Sequence, residues 1–208
     1  MHREAKFWDK IAEKYSKQPI ADEAAYRKKL EITQGYFTPE TELLEFGCGT
    51  GSTAIIHAPF VKHIRAVDIS PNMIEIAKGK ADREGINNIT FEVATCDELA
   101  APDASLDVVM GMSILHLLED REAMIAKVYR MLKPGGLFVS STACLSGIMK
   151  LLKPLIAIGT LLGKAPETVK CFSTKELEKS LTDAGFEIDY QWQPNKSAAV
   201  FIVAKKPG

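Results

Sequence analysis

The sequence predicts one α/β domain: a seven-stranded, mostly parallel sheet with helices on both faces. Three observations carry this expectation. Short apolar runs alternate with helical stretches from about residue 43 to residue 143, as in parallel sheets whose strands are joined by crossing helices. A glycine loop, Gly47-Cys48-Gly49-Thr50-Gly51, lies between the first of those runs and the helix after it. Two apolar runs at 186–192 and 198–204, joined by a short turn holding Pro194 and Asn195, close the chain. They predict an antiparallel hairpin on one edge of the sheet. A length of 208 residues suits a single domain.

The elements follow in order. Two charged, amphipathic stretches at about 3–17 and 21–34, dotted with Phe7, Trp8, Tyr15 and Tyr26, predict a helical cover over residues 1–37. The core spans 38–143. Its first strand is Leu43–Phe46, followed by a helix at about 51–59, and its second is Ile64–Asp68. Ser70 is placed to cap a helix with Pro71 at its first position, running to about Arg83 and stopped by Gly85. Ile89–Val93 and Leu106–Met110 are further strands. A helix at about 119–132 is expected to end at Lys133-Pro134-Gly135-Gly136, before a fifth strand at Leu137–Ser140. Ser173-Thr174-Lys175-Glu176 forms a capping box for a last helix that Gly185 terminates, so 173–208 supplies a helix and the strand pair. Residues 144–172 are longer than an ordinary connection. Read as a helical insertion of two short helices broken at Pro154, the segment carries Lys150, Lys153, Lys164 and Lys170 against one glutamate. It suits a packed cover, a lid over substrate, or a transient contact with a membrane surface.

Composition narrows the function classes. Hydrophobic residues make up 46% and charged residues 25%, with a net charge of −1. Disordered and disulfide-stapled classes are excluded. A nucleic-acid partner is not expected, because phosphate contacts need a cationic surplus. Cys48, Cys96, Cys144 and Cys171 form no C-x-x-C pair and no zinc spacing, so reduced thiols, no metal and a cytoplasmic location are expected. The charged opening does not read as a signal peptide, and the apolar stretch at 151–162 is too short for a membrane span. His57 and His63 are read as surface residues. Oligomeric state is not legible.

The glycine loop carries the chemistry. Glycines at alternate positions allow a sharp turn and close approach of backbone to a ligand. Asp68 closes the second strand 21 residues beyond Gly47, where nucleotide-binding βαβ units place a carboxylate on ribose hydroxyls. The third glycine of a dinucleotide fingerprint would fall on Ser52, and no P-loop motif is present. Glu45, two residues before the first glycine, suits a cationic or zwitterionic ligand better than a pyrophosphate.

At this point the sequence resembles the class I S-adenosylmethionine-dependent methyltransferases, which share a Rossmann-like sheet. The stations are Glu45-Phe-Gly-Cys-Gly-Thr-Gly51, Val67-Asp-Ile-Ser70, Cys96-Asp97, Leu106-Asp107-Val-Val, Leu115-His116 and Leu132-Lys-Pro-Gly-Gly136. The opening Phe7-Trp-Asp-Lys-Ile-Ala-Glu-Lys-Tyr15 is similar to the small-molecule branch that includes quinone-biosynthesis enzymes. The resemblance implies S-adenosylmethionine as cofactor and a small-molecule acceptor, and the apolar character of 144–172 suggests an acceptor that is partly lipophilic. It implies that Gly47 and Gly49 pass beneath the methionine part, with Cys48 and Gly51 completing the loop and Glu45 favouring the ammonium. Asp68 would take both ribose hydroxyls, and Ile69 and Met73 would flank adenine. Asp97 would accept from its amino group beside the Cys96 backbone, Gly111 would offer a carbonyl, and Tyr15 would close over the carboxylate.

Some of these residues have a second, structural reading. Asp97 suits an N-cap for a turn at 98–101, Tyr15 suits core packing, and His116 is a candidate general base or a packing residue. Two rival functions remain: a non-catalytic cofactor-binding accessory protein and a nicotinamide oxidoreductase. Ser52 and Glu45 argue against the second.

Overall fold

The computed structural model describes residues 3–144, 168–195 and 198–208. Its sheet has seven strands: β1 (Glu42–Phe46), β2 (His63–Asp68), β3 (Ile89–Val93), β4 (Leu106–Met112), β5 (Leu132–Thr142), β6 (Glu187–Trp192) and β7 (Val200–Lys205). The order across the sheet is β3-β2-β1-β4-β5-β7-β6. The first five strands are parallel, while β7 runs antiparallel to both β5 and β6. The expected edge hairpin is therefore present. Strand order reverses direction between β1 and β4, and their outgoing loops diverge there to leave a crevice.

Helices α1 (Arg3–Ser16), α2 (Glu23–Gln34), α3 (Ser52–His57), α4 (Pro71–Glu84), α5 (Arg121–Met131) and α6 (Thr174–Asp183) surround the sheet. Alternating strand side chains divide the core in two. Leu44, Phe46, Val109 and Phe138 pack with Ile125, Val128, Leu177 and Leu181 of α5 and α6. Leu43, Ala66, Met110 and Val139 pack with Ala54, Ile55, Ile74 and Ala77 of α3 and α4. Capping follows the sequence: Ser70 accepts from the Met73 N–H, and Gly85 ends α4 with φ +67°. Ser173 and Glu176 form the expected reciprocal box.

Helix α1 packs on α4 through the buried small residues Ala5 and Ala12. Asp9 adds a polar clamp. Its carboxylate accepts from the Ser70 hydroxyl (2.6 Å) and the Asn72 N–H (3.1 Å), and its carbonyl accepts from the Asn72 amide (3.2 Å).

Two expectations need correction. Lys133-Pro-Gly-Gly136 does not separate a helix from a strand but begins β5. Lys133 pairs with Asp107 (2.8 Å), Gly135 N–H donates to the Lys206 carbonyl, and Lys206 N–H donates to the Gly136 carbonyl. Those bonds hold the glycines in the sheet, with a register shift between Leu106 and Val108 absorbing the irregularity. His57 is not a surface residue: it is 1% exposed, edge-on to Phe37, and burial pushes its pKa down to about 4. His63 is half-buried within β2 and bonds Thr90. The expected insertion lies largely outside the described residues. Of its described end, Lys170 N–H donates to the His116 carbonyl (2.7 Å) and Phe172 is buried beneath the Arg121 guanidinium. Among the described residues no helix is long and apolar enough to cross a membrane.

Candidate functional site

A cavity of about 640 Å³ opens at the crevice between β1 and β4, within the range of small-molecule sites. The loop after β1 forms its floor. Gly47, Gly49 and Gly51 have φ of +66°, +54° and +73°, a region costly for residues with a Cβ. The turn is pinned by Cys48 N–H donating to the Val67 carbonyl and Gly51 N–H to the Cys48 carbonyl, both 3.0 Å. A Cβ on Gly47 would lie 2.8 Å from Ile114, whereas one on Gly49 would meet nothing nearer than the Tyr15 ring at 3.9 Å. Gly49 therefore leaves open space on the cavity side.

Asp68, at the end of β2, ties this floor to the next helix. Its two carboxylate oxygens accept from the N–H groups of Gly49 and Ser70, each at 2.9 Å. Burial raises its pKa, and those backbone donors oppose the rise. Glu45 is 2% exposed and its Oε2 has no hydrogen-bond partner. Burial first, and the neighbouring Asp68 second, push its pKa up to about 8. An uncompensated buried carboxyl of this kind is stabilised when a cation approaches.

The remaining walls come from five places. Ile69 and Met73 lead into α4, while Thr95, Cys96 and Asp97 form the turn after β3. Met112, Ser113, Ile114, Leu117 and Leu118 follow β4, and Glu4, Trp8 and Tyr15 reach in from α1. Asp120, Ala123, Met124 and Lys127 form one face of α5 and its cap, spaced to share a helical stripe. Burial pushes the Cys96 thiol up to about 12, leaving it neutral. Among the described residues, Glu4, Asp68, Asp97, Glu119 and Asp120 line the cavity against a single cation, Lys127.

The structure thus brings Tyr15, Gly47, Gly49, Asp68, Ile69, Met73, Cys96 and Asp97 to one cavity. It places Glu45, Cys48, Gly51, Gly111 and His116 outside the residues of the wall. Gly111 has a packing reason to be glycine, since a Cβ there would lie 2.5 Å from the Phe46 ring. His116 sits in the short turn Leu115–Leu117; its Nδ1 is buried without a partner, and burial lowers its pKa. Asp97 does not cap a helix at 98–101: Thr95 takes that place, bonding the Glu98 N–H while Glu98 bonds back. Sequence reasoning missed Trp8, Ser113 and the α5 face. The α5 stripe was visible as i, i+3, i+4, i+7 spacing, but nothing in the sequence aimed it at the cavity.

Known methyltransferases share this fold. Residues 43–136 match the family described as methyltransferase domain. The chain is 32% identical over 100 residues to the uncharacterized methyltransferase YcgJ of Bacillus subtilis, covering 48% of this chain and 40% of that protein. YcgJ's crystal structure superposes with a TM-score of 0.71 at 18% identity, over 88% of this chain and 99% of that one. A demethylmenaquinone methyltransferase of Symbiobacterium thermophilum is 29% identical over 140 residues, or 64% of this chain and 55% of that protein. The geranyl diphosphate C-methyltransferase of Streptomyces coelicolor, solved with Mg2+, geranyl diphosphate and S-adenosyl-L-homocysteine, shares the fold at a TM-score of 0.73 and 16% identity. That match covers 88% of this chain and 79% of that one. The aligned part of this chain thus spans about half the length of the curated relatives, 40% and 55% for these two. The methyltransferase match thus covers residues 43–136, less than half of this chain.

Proposed function

We propose that this protein is an S-adenosylmethionine-dependent methyltransferase acting on a small, partly lipophilic molecule. The observation that carries the reading is the convergence of the glycine loop, Asp68 and Asp97 on one cavity whose wall is rich in carboxylates. A sulfonium and an ammonium fit such a wall, and a Cβ on Gly49 would fill the cradle. The orphaned Oε2 of Glu45 adds a buried carboxyl that an approaching ammonium would favour in its ionised form.

In this reading Gly47 and Gly49 cradle the methionine part, with Cys48 and Gly51 keeping the turn and Glu45 and the Gly111 carbonyl favouring its ammonium. Asp68 accepts from the ribose, Ile69 and Met73 flank adenine, Asp97 and the Cys96 backbone meet its amino edge, and Tyr15 covers the carboxylate end. S-adenosylmethionine, when bound, supplies a methyl group already activated by positively charged sulfur. The chain then has to hold the acceptor in line and exclude water, an arrangement worth up to about 7–11 kcal/mol. Trp8, Leu117 and Leu118 offer the apolar surface for this. His116 is the candidate base if the acceptor must lose a proton, although it is not part of the wall. Demethylmenaquinone and geranyl diphosphate, named in two of the similar proteins, are molecules with apolar parts, which agrees with a lipophilic acceptor. The four unpaired cysteines suit a cytoplasmic enzyme.

The test is turnover with methyl-labelled S-adenosylmethionine and a panel of phenols, quinols and isoprenoids. The expected result is label on an acceptor with matching release of S-adenosylhomocysteine, reduced about tenfold or more in Asp68→Ala, which removes charge-assisted contacts. Tight cofactor binding without label transfer to any acceptor, including a whole-cell metabolite extract, would favour the accessory-protein reading instead.

A further inference from the structure

We infer that Lys127 is a positioning residue of the cofactor site, fixing the loop that presents Cys96 and Asp97 to the cavity. The inference rests on the cofactor reading above and concerns a residue to which neither motif nor family match gives a role. Lys127 lies on α5, one turn beyond Ala123 and Met124 on the cavity-facing stripe. Its ammonium donates to the carbonyls of Cys96 (3.0 Å), Asp97 (2.9 Å) and Leu99 (3.1 Å). An ammonium has three N–H donors, and all three are committed. Lys127 is therefore not available to bind an anionic acceptor, a usual role of a lysine in a cavity wall.

The loop has other ties at its ends: Ala94 N–H donates to the Asp68 carbonyl (3.0 Å), the Arg65 guanidinium donates to the Ala100 carbonyl, and Cys96 packs against the core. The loop belongs to no helix or strand. Thr95 and Glu98 bond each other locally, Leu99 N–H returns to the Thr95 carbonyl, and buried Leu99 anchors the far end. None of those bonds links the Cys96–Asp97 peptide to the rest of the molecule. Lys127 does, with charge-assisted bonds that are shorter and stronger than neutral ones. The same residue thus sets the distance between α5, which forms part of the cavity wall, and the turn read as meeting adenine.

The test compares S-adenosylhomocysteine with S-inosylhomocysteine, which lacks the adenine amino group, by calorimetry on the full chain. Wild type is expected to prefer the adenine form by about tenfold, one charged hydrogen bond's worth. Lys127→Met keeps the apolar stem and loses all three donors; its preference should fall toward about one, with the loss concentrated on S-adenosylhomocysteine. Lys127→Arg keeps the charge but spreads its donors in a planar fork, so an intermediate preference is expected. It also decides the matter if Lys127→Met does not fold. Equal weakening of both ligands would mark a general structural role and overturn the inference, as would an unchanged ratio in either variant. A wild type that binds S-adenosylhomocysteine without preferring it would overturn the Asp97 contact and this inference, leaving the cofactor reading intact. A wild type that binds neither ligand would overturn the cofactor reading itself.

Discussion

Glu45 carries a carboxyl into the interior of the sheet, and its cost can be read from stability. The folded pKa is raised from 4.5 to about 8, so between those values the unfolded chain has lost a proton that the folded chain keeps. Stability therefore falls as pH rises through that window and is flat outside it, by up to roughly 1.4 kcal/mol per pH unit. Glu45→Gln has no such proton. Its melting temperature should exceed that of wild type by a gap that widens from pH 5 to pH 8, at about 2–4 °C per kcal/mol; parallel curves would contradict the account. Asp68 was legible as a cavity residue from its distance to the glycine loop, and Asp97 only through the family resemblance. Gly111 was legible as a glycine but not for its reason, because the Phe46 ring it accommodates lies on another strand. Lys127 was not legible at all, since its partners stand about thirty positions away and are backbone carbonyls that every residue possesses.

At the scale of elements, α1 is where sequence and structure complement each other. Its amphipathic pattern predicted a helical cover, yet the clamp from Asp9 to Ser70 and Asn72 spans more than sixty positions and leaves no local signal. Asp9 acts on α4 as an extra N-terminal acceptor, so Asp9→Ala should cost about 1 kcal/mol. Because Glu4, Trp8 and Tyr15 reach the cavity from this helix, the same change should weaken S-adenosylhomocysteine binding and speed amide exchange across α1 while β1 and β4 stay protected. Unchanged exchange in α1 would mean that Ala5 and Ala12 alone hold the helix. Element boundaries failed where tertiary bonds outweighed local preference. Pro134, Gly135 and Gly136 read as a break, but Asp107 and Lys206 draw them into β5. The capped helices α4 and α6 came out as read, because their stop and start signals are satisfied by neighbours three residues away.

For the whole molecule, alternation of strand and helix was enough to read the parallel sheet, and the closing hairpin its antiparallel edge. Strand order was not readable from pattern, because it depends on pairings such as Leu43 with Val108 across the middle of the chain. That order is what creates the crevice between β1 and β4, and so the site. A neutral overall charge concealed a cavity lined, among the described residues, by five carboxylates and one committed ammonium, a local imbalance that selects for cationic ligands. The central claim is the identity of the cofactor, and a thermal-shift comparison of S-adenosylmethionine, S-adenosylhomocysteine and NAD on wild type and Asp68→Ala tests it directly. At about 100 times its dissociation constant a ligand adds about 2.7 kcal/mol, or roughly 5–10 °C for a chain of this size. The account predicts that shift with the two sulfur compounds, its loss in Asp68→Ala, and none with NAD. A shift with NAD alone would contradict it.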